Sequence, residues 1–136
     1  MKRILVVEDD PDIQEMLCAY LRDAGYETGT AGDGLAALDR FHSGVWNLIL
    51  LDVMLPKVDG YGVCELIRRE SSVPVIMLTA LDAEENQLKG FDLDVDDYVT
   101  KPFSMPVLLR KIAAVLRRAG NGEVENSLLL YQDLIL

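Results

Sequence analysis

Hydrophobic positions along this chain come in blocks. Residues 3–7, 48–51 and 75–78 are short runs in which nearly every side chain is apolar. A strand covered on both faces reads this way, because neither face meets water. Residues 27–31 and 98–100 complete five predicted strands. Between them the apolar positions recur at helical spacing. Ile13, Met16, Leu17, Tyr20, Leu21 and Ala24 fall on one stripe. Asp10 precedes that stripe as an N-cap, Pro11 takes the first helical position, and Gly25 ends the helix. Further helices are predicted over 33–43, 60–70, 83–91 and 104–118. The last carries Leu108, Ile112, Val115 and Leu116 at core spacing and closes on Arg117 and Arg118, which suit a helix C-terminus. Strand and helix in strict alternation predict an α/β fold with a doubly wound parallel sheet.

Composition narrows the class. The chain has 136 residues, half of them hydrophobic, enough for one domain with a real core. No apolar run approaches the ~20 residues of a membrane span. Met1, Lys2 and Arg3 lead directly into a strand, so no secretory leader is expected. Cys18 and Cys64 lack metal-site spacing and read as buried, reduced thiols of a cytoplasmic protein. The net charge of −10 argues against nucleic-acid binding by this chain itself and is compatible with a bound cation. The pattern breaks at 119–127, which read as a linker. The apolar stretch 128–136 then reads as the beginning of a second domain, leaving 1–118 as the first.

The candidate chemistry lies at the strand ends. In open α/β sheets, ligands bind outside the carboxyl ends of the strands. The first strand runs into Glu8, Asp9 and Asp10; the third stops at Asp52; the fourth ends in Thr79; Lys101 and Pro102 follow the fifth. Clustered carboxylates repel one another, and a cation among them relieves the repulsion. Oxygen ligands few in number suit Mg²⁺, which prefers one or two carboxylates plus a phosphate. Lys101 adds a positive charge and Thr79 a hydroxyl. Asp52 is then a carboxylate aimed at phosphorus, and carboxylates do form acyl phosphates.

Four stretches, "ILVVEDD", "LILLDVMLPKVDG", "VIMLTA" and "DDYVTKPF", resemble the receiver domain of two-component response regulators, over roughly residues 2–118. The resemblance implies a five-stranded parallel sheet of order 2-1-3-4-5 with five helices. It implies Asp52 as phosphoacceptor, and Mg²⁺ held by Asp9, Asp52, Glu8 and the backbone carbonyl of Met54. It implies Thr79 and Tyr98 as the switch pair, and Lys101 as the partner of the phosphoryl oxygens, followed by a cis bond to Pro102. The implied donor is a sensor histidine kinase. Arg117, Arg118, the linker and "LLLYQDLIL" resemble the OmpR/PhoB subfamily at the start of its winged-helix DNA-binding domain, so DNA would be reached only through that further domain. Apolar Met54 and Leu81, each two residues past Asp52 and Thr79, imply slow self-dephosphorylation.

The subfamily dimerises through the face of the fourth helix, fifth strand and fifth helix. Asp97 and Lys111 retain one interfacial pair, with Lys where Arg is usual. Leu88, Phe91 and Leu109 supply an apolar centre. Gln87 opposite Val107 and Asp92 opposite Ala113 cannot form the other two pairs, and Asp94 stands where the pattern usually has Gly. The resemblance therefore implies an intact phosphorylation site on a weakened dimer face.

Other functions fit less well. A phosphatase using an aspartyl phosphate needs an acid two residues past the nucleophile, where this chain has Met54. A flavodoxin-like carrier needs a first loop that cradles phosphate, and here that loop is acidic. Gly32 to Ala37 fits the spacing of a dinucleotide fingerprint but follows the second strand, with Asp33 read as an N-cap. His42, the only histidine, is expected on a solvated helix. A receiver with a vestigial pocket, acting as an interaction module without phosphorylation, is the alternative that only activity excludes.

Overall fold

The computed structural model describes residues 1–79 and 95–119. Five parallel strands, β1 (Arg3–Val7), β2 (Glu27–Ala31), β3 (Leu48–Asp52), β4 (Val75–Thr79) and β5 (Asp97–Thr100), form one sheet of order β2-β1-β3-β4-β5. Three helices, α1 (Pro11–Asp23), α2 (Gly34–His42) and α3 (Gly60–Arg68), connect them, and residues 105–119 form the C-terminal helix. Four helices are thus seen among the described residues. The predicted helix over 83–91 and the linker and second-domain start at 120–136 lie outside them.

The apolar runs explain the layering. Alternate side chains of a strand point to opposite faces, so a run with no polar residue feeds two cores at once. Ile4, Val6, Leu48, Leu50, Ile76 and Leu78 meet Leu17, Cys18 and Leu21 of α1 and Leu108, Ile112, Val115 and Leu116 of the C-terminal helix. On the other face Leu5, Val7, Ile49, Leu51, Val75 and Met77 meet Ala37 of α2 and Val63, Cys64 and Ile67 of α3. Both cysteines are buried, and no disulfide joins them.

Capping places the helices where the sequence puts them. The Asp10 carboxylate accepts from the N–H groups of Asp12 and Ile13, Asp33 from Ala36 and Asp59 from Gly62. Gly25, at φ 98°, turns the chain out of α1 where only glycine is comfortable. One prediction is corrected. The apolar stripe of α1 is narrower than the spacing implied: Leu17, Cys18 and Leu21 are buried, whereas Met16 and Tyr20 are exposed. Both flank the Leu17–Leu21 line, and the sheet covers only that line. His42 is solvent-exposed as expected, but it also pairs with Glu70 after α3.

Candidate functional site: an acidic pocket at the carboxyl edge of the sheet

Strand register brings the candidate residues together. Val7 is level with Leu51, so the next residues, Glu8 and Asp52, stand side by side at the ends of β1 and β3. Asp52 is level with Leu78 of β4, which sets Thr79 one step further along. Thr79 is level with Thr100, and its carbonyl accepts from the Lys101 N–H at 2.7 Å. Three adjacent strands therefore deliver Glu8, Asp52 and Thr79 to one edge, all three buried.

The pocket is held by a small set of polar contacts. Lys101 Nζ lies 2.8 Å from Asp52 Oδ2 and 3.1 Å from Glu8 Oε2. Asp52 Oδ1 accepts from the Met54 N–H at 3.0 Å, and Glu8 Oε1 from the Asp10 N–H at 3.2 Å. One ammonium thus faces two buried carboxylates, with exposed Asp9 beside them. Burial, reinforced by the hydrogen bond and charge of Asp52, pushes Glu8 up to about 7. Burial of the Lys101 ammonium works against its charge, but Asp52 and Glu8 outweigh it and the net shift is upward. Carboxylate oxygens of Glu8, Asp9 and Asp52 lie within 4.8 Å of one another, a set able to hold a cation. All the donors are oxygens, one of the three residues is open to solvent, and negative charge is in excess. Those features fit Mg²⁺.

The loop after β3 is fastened to its neighbours by close backbone approach. A Cβ on Gly60 would lie 2.3 Å from the Asp52 carbonyl oxygen, and one on Gly34 would lie 2.1 Å from that of Val58. Gly34 is therefore a packing glycine against the β3–α3 loop, which accounts for half of the fingerprint-like spacing over 32–37. Lys57 takes φ 69°, a left-handed conformation in a residue with a side chain, and lies 3.4 Å from Asp33.

The other sequence candidates are distributed as follows. The Lys101–Pro102 bond is cis. Met54 is well exposed. Tyr98 packs partly buried against the α2–α3 core, and its hydroxyl is pushed up to about 12, first by burial and then by Tyr61 and Cys64. Leu109 packs partly buried on the opposite core. Lys111 pairs with Asp97 at 3.3 Å and donates to the Tyr98 carbonyl at 3.0 Å, all within one chain. Leu81, Gln87, Leu88, Phe91, Asp92 and Asp94 lie outside the described residues. Sequence reasoning missed Gln14, whose side-chain amide reaches the Glu8 carbonyl. Nothing in the local pattern marks it, since a polar residue in a first helical turn is ordinary.

The five-stranded sheet of order 2-1-3-4-5 carries at its carboxyl edge a lysine-closed acidic pocket whose oxygens could hold a cation. The family model described as "Response regulator receiver domain" matches residues 4–113, and the chain belongs to that family. It is 50% identical over 126 residues to the "Probable transcriptional regulator ycf27" of Galdieria sulphuraria, covering 93% of this chain and 49% of that protein. It is 45% identical over 127 residues to the "Sensory transduction protein RegX3" of Mycobacterium tuberculosis, covering 93% and 56%. The receiver domain of the Francisella response regulator 1452 superposes with a TM-score of 0.83 at 32% identity, covering 88% of this chain and 99% of that one. The chain spans about half the length of the curated relatives it matches. Among the described residues, no helix is long and apolar enough to cross a membrane.

Proposed function

We propose that Asp52 is the phosphoacceptor of a cytoplasmic response regulator of the OmpR/PhoB type, and that a sensor histidine kinase is its donor. The observation that carries this is the convergence of Asp52, Glu8 and Lys101 within hydrogen-bond reach, with Asp9 alongside. Asp52 sits at the end of a fully buried strand, so its carboxylate is aimed by the sheet and not by a loop. One carboxylate oxygen forms a bond to phosphorus while the N–P bond to the kinase imidazole breaks. The departing ring nitrogen keeps the electron pair. Lys101, already on Asp52 Oδ2, is within reach of the oxygens of a phosphoryl group built there. Asp9, Glu8 and Asp52 would hold Mg²⁺, with the Met54 carbonyl as a further ligand. When bound, the ion neutralises charge on the phosphoryl oxygens.

Thr79 and Tyr98 are proposed to pass the change to the face of β5 and the C-terminal helix, and so to a DNA-binding output domain. Pairing of two copies through that face would have to share or break the Asp97–Lys111 pair, which closes within one chain.

The test is intact mass after incubation with acetyl phosphate, with and without Mg²⁺, on wild type and Asp52→Ala. The expected result is gain of one phosphoryl group that needs both Mg²⁺ and Asp52. No gain in the wild type would contradict the reading and favour a receiver that acts without phosphorylation.

A further inference from the structure

We propose that Gln14 is a positioning residue for the cation pocket, acting through the peptide that joins Glu8 to Asp9. This rests on the reading of the pocket as a Mg²⁺ site. The β1 ladder ends at Val7, whose partners are Ala31 and Leu51. The Glu8 N–H still reaches the Ala31 carbonyl at 3.1 Å. The Glu8 carbonyl lies past the ladder, and its donor is the side-chain amide of Gln14 on α1, at 3.0 Å. The same amide nitrogen lies 3.4 Å from the Ala31 carbonyl. One side chain thus closes the seam between the ends of β1 and β2, at the peptide from which the first two acidic residues project.

The Glu8 carboxylate is gripped by the Asp10 N–H at 3.2 Å and Lys101 Nζ at 3.1 Å, while further along the turn Asp10 caps α1 through Asp12 and Ile13 and its carbonyl accepts from the Gln14 N–H at 2.9 Å. Both grips on the Glu8 carboxylate involve oxygens that a cation would compete for. The Gln14 contact is on the backbone, so it persists whatever the carboxylates hold. Rotation of that peptide would move Glu8 and Asp9 together relative to Asp52. Packing cannot substitute for the bond. Gln14 is only half-buried and lines an open groove of about 320 Å³ with Cys18, Thr28, Thr30 and Arg40, so an apolar side chain finds no core there. Partners that orient ligands from behind commonly set metal affinity.

The experiment is calorimetric titration of Mg²⁺ into wild type, Asp9→Asn, Gln14→Met and Gln14→Arg, with metal-free thermal melts of each. Wild type should bind, and Asp9→Asn should bind more weakly. Gln14→Met, which keeps volume and removes the donor, should melt cooperatively without metal yet bind about tenfold more weakly. Gln14→Arg, which keeps long N–H donors, should recover to within about twofold of wild type. If Gln14→Met does not fold, Gln14→Ala makes the same comparison. A donor-less variant that binds like wild type overturns the proposal, as does an arginine variant that loses as much as the methionine one. Failure of wild type to bind Mg²⁺ overturns the pocket reading itself.

Discussion

Ile4 to Val7 and Leu48 to Leu51 are apolar and almost wholly buried; one residue further along each strand stand Glu8 and Asp52, equally buried and ionisable. The two stretches share strands, register and burial, and differ only in chemistry. In the middle of the sheet, burial is favourable by about 25 cal/mol per Å² of apolar surface removed from water. At the edge, the same burial opposes charge. The rigid middle holds the edge groups in a place they would not choose. A carboxylate so held keeps its direction without reorganisation, which is what an in-line phosphoryl transfer asks of its nucleophile.

The largest effect that separates the two regions comes from truncating the middle. Leu50→Ala removes a fully buried side chain from the face shared by α1 and the C-terminal helix, and should lose about 2–5 kcal/mol in a denaturant titration. Asp52→Asn, two residues on, should do the opposite. It removes one of two buried carboxylates that share a single ammonium. The metal-free chain should gain about 1 kcal/mol while losing phosphoryl uptake altogether. Loss of stability in both variants would mean that the edge is ordinary packing.

A smaller effect follows from Glu8. Its folded pKa, about 7, lies above the ordinary carboxylate range, so the folded state holds this proton more tightly than the unfolded one. The contribution to stability is full below the unfolded pKa and is lost as pH rises through the folded value. Without Mg²⁺, the thermal midpoint of wild type relative to Glu8→Gln should fall between about pH 5 and pH 8. Added Mg²⁺ should restore it at the alkaline end. A difference between the two proteins that stays flat with pH would refute the assignment.

The smallest effect is expected at Lys57. Glycine would relieve the left-handed φ, worth about 1–2 kcal/mol, against a similar gain of freedom in the unfolded chain. Lys57→Gly should therefore move stability by less than about 1 kcal/mol in a melt. A large loss would show that the side chain, through Asp33, fastens the β3–α3 loop more firmly than an exposed pair ordinarily can.

Much of this was legible in the sequence because the relevant rules are local. Unbroken apolar runs at 4–7, 48–51 and 75–78, too short for helices, read as strands buried on both faces, and Asp10, Asp33 and Asp59 mark helix starts by capping chemistry. Asp52 stood out as a charge at the end of such a run. What stayed hidden depends on contacts between distant elements. The exposure of Met16 and Tyr20 follows from how wide a stripe the sheet covers, which periodicity cannot tell. The roles of Gly34 and Gly60 follow from backbone approaches by another segment. Asp97 and Lys111 are expected from the resemblance to pair between two copies, whereas here they pair within one chain, which is a matter of side-chain reach.

In the proposed reaction Asp52, and no other group, meets the phosphoryl donor. Borohydride reduction of the acetyl-phosphate-treated chain, followed by peptide mass mapping, tests it most directly, since reduction converts an aspartyl phosphate to homoserine. Homoserine is expected at position 52 alone, and only when Mg²⁺ was present. Reduction at another carboxylate, or phosphate retained on a hydroxyl or on His42, would contradict it.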